Sequence, residues 1–125
     1  RTTKPRLLIC DRANAKLKWF SLNGELEQIV PLPGAEPSNI SEYNGYLAIA
    51  SLNGMILILD KDNKVVSVVG GEAPSYVDGK LQPIIPYNYT FIHPHDVYID
   101  QNADLYVAQW NSYKTYPIKL ERIAT

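Results

Sequence analysis

Pro94-His95-Asp96-Val97-Tyr98-Ile99-Asp100-Gln101-Asn102-Ala103-Asp104-Leu105-Tyr106-Val107-Ala108-Gln109 decides how this chain is read. It holds two short runs rich in Val, Ile, Leu and Tyr, Asp96–Asp100 and Leu105–Gln109, joined by the turn-forming Asn102-Ala103-Asp104. Runs of that kind, bounded by turn residues, read as paired strands. The same grammar recurs upstream, where Pro37-Ser38-Asn39-Ile40 opens a strand and Leu47-Ala48-Ile49-Ala50-Ser51 follows it after Asn44-Gly45. Leu7-Leu8-Ile9-Cys10-Asp11 is a further copy of the apolar strand that ends in a polar residue.

Working outward, strands are expected at Arg6–Arg12, Leu17–Ser21, Leu26–Leu32, Ser38–Glu42, Tyr46–Ser51, Met55–Asp60, Val65–Val69, Asp96–Asp100, Leu105–Gln109 and Tyr116–Ile123. The turn dipeptides Asn23-Gly24, Asn44-Gly45, Asn53-Gly54 and Asp78-Gly79 tolerate the positive φ of tight hairpins. Nine prolines and seven glycines interrupt the chain, and no window carries apolar residues at helical spacing over three turns. The first two copies of the apolar strand recur at a period of roughly 40 residues. The wider second spacing is taken up by an irregular stretch, Gly70 to Pro94. Such a period with four strands per unit is the signature of a β-propeller. The expected fold is therefore all-β, with antiparallel propeller blades in one domain over 1–125. Blade pieces fall near 6–33, 37–70 and 94–123, with a long inter-blade loop at 70–93.

Composition narrows the function classes. The chain of 125 residues is 46% hydrophobic and 20% charged with a net charge of −1, which suits one domain and gives no basic field for nucleic acid. No apolar run approaches the roughly 18 residues of a membrane-spanning helix. Cys10 is the one cysteine, so no internal disulfide or Cys-based zinc site can form. Its apolar surroundings suggest a buried, inert thiol.

Phe91, Pro94, His95, Asp96, Val97, Asp100, Leu105, Tyr106, Val107, Ala108 and Asn111 resemble an NHL repeat of a six-bladed propeller. That pattern runs Phe-x-x-Pro-x-Gly-Val-x-x-Asp-x-x-Gly-x-Ile-Tyr-Val-Ala-Asp. Asp11-Arg12-Ala13-Asn14 resembles the turn after the second strand, and Gly70-Gly71 with Asp78-Gly79 the Gly-rich connection before a blade. Gln109 and Ser51 stand where the pattern has Asp, and Ser38-Asn39 where it has Pro-x-Gly. The resemblance implies about half of a six-bladed ring, which needs about 250 residues. The expected partner is the remainder of the propeller or a second copy. The family's frequent occurrence in exported bacterial proteins implies an extracytoplasmic setting, periplasmic or secreted.

In an up-and-down blade, the link into the first strand lies beside the link from the second strand to the third. His95 and Asp96 should then neighbour Gln109, Trp110 and Asn111, while Ser38 and Asn39 neighbour Ser51 and Asn53. Asp11 and Arg12 join the same rim, so these residues are the candidate ligand-binding set at a channel mouth. His93-Pro94-His95-Asp96 offers imidazole and carboxylate donors suited to Zn or Ca. The resemblance extends to peptidyl-hydroxyglycine amidating lyase, which places metal-binding histidines at channel-facing first-strand positions. His95 matches such a position and Ser38 does not, so a full metal site would draw on other residues and this segment requires no cofactor. Against this stands a purely structural His95, capping its strand and bonding a backbone carbonyl. Tyr87, Tyr89, Trp110, Tyr113 and Tyr116 would suit stacking on carbohydrate or peptide. The leading expectation is a ligand- or partner-binding propeller. The alternatives are a metal-dependent lyase or hydrolase, and a scaffold in a larger complex; no catalytic residue is assigned.

Overall fold

Strand alternation and tight turns sort the chain into antiparallel sheets in a computed structural model that describes residues 5–87, 90–110 and 117–123. The first sheet joins β1 (Arg6–Asp11), β2 (Lys16–Ser21) and β3 (Leu26–Pro31) in that order. The second joins β4 (Pro37–Tyr43), β5 (Tyr46–Ser51), β6 (Met55–Leu59) and β7 (Val65–Val69). A small hairpin, β8 (Tyr76–Val77) with β9 (Lys80–Leu81), precedes the last sheet of β10 (Pro94–Ile99), β11 (Leu105–Gln109) and β12 (Ile118–Leu120). Arg12–Asn14 is a single 3-10 turn. No helix among the described residues is long and apolar enough to cross a membrane.

The turn chemistry explains the sequential pairing. Asn44 (φ 52) and Gly45 (φ 83) both take positive φ, as the two-residue turn between β4 and β5 requires. Asp78 (φ 51) and Gly79 (φ 76) do the same between β8 and β9. The stretch expected to be irregular therefore contains a hairpin, and Gly71 bridges Pro86 beside it. Two-residue strands carry too little alternation to be seen in sequence. The expected pairs form in the expected sense: Ile40 faces Ile49 and Val97 faces Val107, both antiparallel.

Alternation along β5 sets the packing. Leu47 and Ile49 turn to one side and join Leu17, Trp19 and Val30 of the first sheet, with Leu57 and Leu59 of β6. Ala48 and Ala50 turn to the other side and join Phe91, Val97, Ile99, Leu105 and Val107. The second sheet is thus buried on both faces, which accounts for the unbroken apolar run of β6 and for small residues where β10 lies against β4 and β5. Ile49→Ala and Leu57→Ala should each cost about 2–5 kcal/mol in urea unfolding, the range for truncating a filled core. Val66→Ala, on the exposed side of β7, should cost well under half of that. Similar losses at all three sites would contradict a two-faced core in the second sheet.

Candidate functional site

One edge of the stacked sheets is built by the links β1–β2, β3–β4 and β5–β6, by residues 91–93 entering β10, and by Trp110 after β11. Hydrogen bonds run along this rim from sheet to sheet. The Leu32 amide donates to Ala15 at 2.8 Å and the Leu52 amide to Glu36 at 2.9 Å. The Asn53 side-chain amide donates to the Gly34 carbonyl at 2.7 Å. Ser51 accepts the Glu36 N–H at 2.8 Å and hydrogen-bonds the Asn53 side-chain oxygen. The His93 Nδ1–H donates to the Leu52 carbonyl at 3.1 Å, and Trp110 N–H donates to the His93 carbonyl at 2.8 Å.

Two glycines make the rim close enough for these bonds. Gly54 and Gly70 take φ of +98 and +87, where L side chains are strained. A Cβ on Gly70 would stand 2.7 Å from the Gly54 carbonyl oxygen and 3.0 Å from the Phe91 ring. Phe91 is buried there and fixes the entry of β10.

The Pro-x-Asn/Asp likeness seen in sequence is a geometric equivalence. Pro37 pairs with Ser51 and Asn39 with Ala50, leaving Ser38 as the extra residue of a β-bulge. Pro94 pairs with Gln109 and Asp96 with Ala108, leaving His95 in the same position. Asn39 and Asp96 each accept the amide N–H of the following residue, at 2.7 and 2.8 Å. A bulge re-aims its side chain and bends the strand, and such bulges concentrate at barrel rims and near sites.

The candidate residues divide into two groups. Several are spent on structure. The Ser38 hydroxyl donates to the His95 carbonyl at 2.7 Å, tying the second sheet to the third. Gln109 Oε1 accepts the amides of Ile92 at 2.6 Å and His93 at 3.2 Å, clamping the approach to β10. Asp11 is bonded by Lys18 at 2.9 Å and by Asn14, and these partners hold its carboxyl below the ordinary carboxylate range. The other group is exposed: Arg12, Asn39, His95, Asp96 and Trp110. Asn111, Tyr89, Tyr113 and Tyr116 lie outside the described residues.

The carbonyl bond expected of a structural His95 is made by His93, whose ring also lies 6.4 Å from that of Trp110. No cluster of three or more metal-capable side chains occurs among the described residues, and His95 offers one imidazole. Cys10 is half-buried, and burial pushes its thiol up to about 11, as expected of an inert thiol.

A polar cleft of about 460 Å³ opens on the rim between the β1–β2, β3–β4 and β5–β6 links. Arg12, Gly34, Glu36 and Asn53 line it, with Ala13 and Ala15. Arg12 and Asn53 are the lining residues that the strand grammar places on this rim, whereas Glu36 and Gly34 emerge only from the structure. Their signal is local: both lie in the short link that ends at Pro37, the start of β4. The cleft presents a guanidinium and a carboxylate together, and so suits a neutral or zwitterionic polar ligand rather than a simple ion.

No family model matches the chain, and no curated protein matches it either. Geometry therefore carries the functional argument. Gln109→Ala should lower stability by about 1–3 kcal/mol, because two backbone donors lose their acceptor. Amide exchange should quicken first at Ile92 and His93. Unchanged exchange there would show that Gln109 does not clamp β10.

Proposed function

We propose that this chain forms part of a six-bladed β-propeller of NHL type and serves as a recognition module, with its ligand at the channel mouth. The observation that carries this reading is the rim itself. Equivalent β-bulges at Ser38 and His95 recur in successive sheets, and a polar cleft opens on the same edge. Three sheets stacked face to face through a middle sheet buried on both sides support the blade arrangement.

The division of rim residues supports binding over catalysis. Ser38 and Gln109 are occupied with backbone groups, so neither is an activated nucleophile or base. Arg12 and Glu36 are exposed at the cleft, and Trp110 adds an exposed aromatic surface further along the rim. Guanidinium, carboxylate and indole together suit a carbohydrate or a short peptide, with polar edges bonded and one apolar face stacked. The metal-dependent alternative rests on His95 alone and would draw its other ligands from elsewhere. With the NHL resemblance goes an extracytoplasmic setting, periplasmic or secreted.

Titration calorimetry of the propeller-bearing protein against oligosaccharide and peptide panels tests this. Arg12→Ala should weaken binding of a hit about tenfold, the loss of one charge-assisted hydrogen bond. Trp110→Ala should weaken it by a similar or smaller factor, and Val66→Ala should leave it unchanged. Absence of any hit, or hits indifferent to both rim substitutions, would refute recognition at this mouth.

A further inference from the structure

A second cleft, of about 430 Å³, shares no residue with the one on the rim. One wall is the later half of β3. The other walls are the β6–β7 turn, through Asp62 and Lys64, and the β8–β9 hairpin, through Tyr76 and Lys80. Val30 and Leu81 also line it, and both pack in the core between the first two sheets, so its inner end is apolar.

The cleft is held open by bonds at both ends of the hairpin. The Val65 amide donates to the Tyr76 hydroxyl at 2.8 Å, and the Lys64 ammonium lies 5.9 Å from the centre of the Tyr76 ring. Past the hairpin, the Ile84 amide donates to the Pro33 carbonyl at 2.8 Å and the Glu72 amide to the Ile85 carbonyl at 2.9 Å. The hairpin is thus tied to β7 on one side and to the link after β3 on the other. A wall fixed in this way adds little ordering cost to binding.

Hydrogen-bond phase decides what β3 presents to the cleft. The Leu32 amide donates to the Ala15 carbonyl, so Leu17–Val30 and Trp19–Gln28 are the bonded rungs of the β2–β3 ladder. Lys18–Ile29 and Lys16–Pro31 are the alternate rungs, whose backbone groups point away from each other. The Ile29 N–H and C=O and the Pro31 C=O are therefore directed outward, and β3 is the last strand of its sheet among the described residues. A register shift beyond Gln28 ends the regular edge on one side and Pro31, which has no N–H, ends it on the other. Such features protect an edge against long pairing and leave room for a short segment only.

We propose that this cleft takes a short extended peptide as an added strand on β3, with acidic side chains at alternate positions. Main-chain bonds to Ile29 supply the alignment, and the side chains of one face of the peptide supply the selection. Charge identifies those side chains. Lys64 and Lys80 stand in the walls against one carboxylate, Asp62, and neither lysine makes an ion pair among the described residues. The Tyr76 ring offers an apolar surface between the charges. This site needs only β3, the turn and the hairpin, and so stands apart from both the six-bladed reading and the ligand at the channel mouth.

Titration calorimetry of the protein bearing this chain, with a capped hexapeptide of alternating Glu and Val, tests the proposal. Saturable binding is expected, with an otherwise identical Lys-Val peptide at least tenfold weaker. Lys64→Ala and Lys80→Ala should each weaken the Glu-Val peptide about tenfold, the loss of one charge-assisted hydrogen bond. Lys61→Ala, in the same turn but outside the cleft, should leave it unchanged. Amide exchange at Ile29 should slow when the peptide binds. Two N-methylated peptides give a test that needs no variant protein. Methylating the amides of one face of the strand should abolish binding, and methylating those of the other face should spare it. Absence of binding, indifference to both lysine substitutions, equal competition by free glutamate, equal effects of the two methylated peptides, or unchanged exchange at Ile29 would each overturn strand addition here.

Discussion

The two-sided burial of β5 is the constraint on which the rest of the structure depends. Leu47 and Ile49 face one neighbouring sheet, and Ala48 and Ala50 face the other. A strand in that position cannot slip by one residue without exchanging its large and small faces, so its register is fixed from both sides. The small residues let β10 come near enough for Ser38 to reach the His95 carbonyl and Ser41 the Ile99 amide. Burial supplies the bulk of the favourable energy, and these hydrogen bonds select the alignment.

That alignment determines what the rim can offer. The β4–β7 and β10–β12 sheets each enter the rim through a proline, a bulge residue and an Asn or Asp that accepts the next amide. The repeated geometry holds the backbone rigid where two sheets meet and leaves the bulge side chains to differ. Ser38 is short and becomes a bridge between sheets, whereas His95 is long and reaches solvent. Variation at one structural position thus converts a packing element into a surface group without disturbing the strands beneath.

Much of the fold was legible in the sequence because its signals are local. Asn44-Gly45 and Asp78-Gly79 specify turns through their own φ preferences, and the Pro37 and Pro94 segments align without reference to distant residues. The site was legible in outline only. Gln109 and Ser38 read as free polar groups, but their partners lie across a sheet or in another one. His93 and His95 are two residues apart and alike in sequence, yet only the seam between sheets makes one a donor to Leu52 and leaves the other exposed. Leu7 and Leu47 share one pattern but not one environment, because burial of a strand face depends on whether another sheet covers it.

The most direct test of the two-sided middle sheet is a methyl-resolved NOE spectrum of β5. The account requires Leu47 and Ile49 methyls to contact Leu17 and Trp19, and the methyls of Ala48 and Ala50 to contact Val97 and Val107, with no exchange between the sets. Contacts from both sets to the same sheet, or the absence of contacts from either, would contradict it.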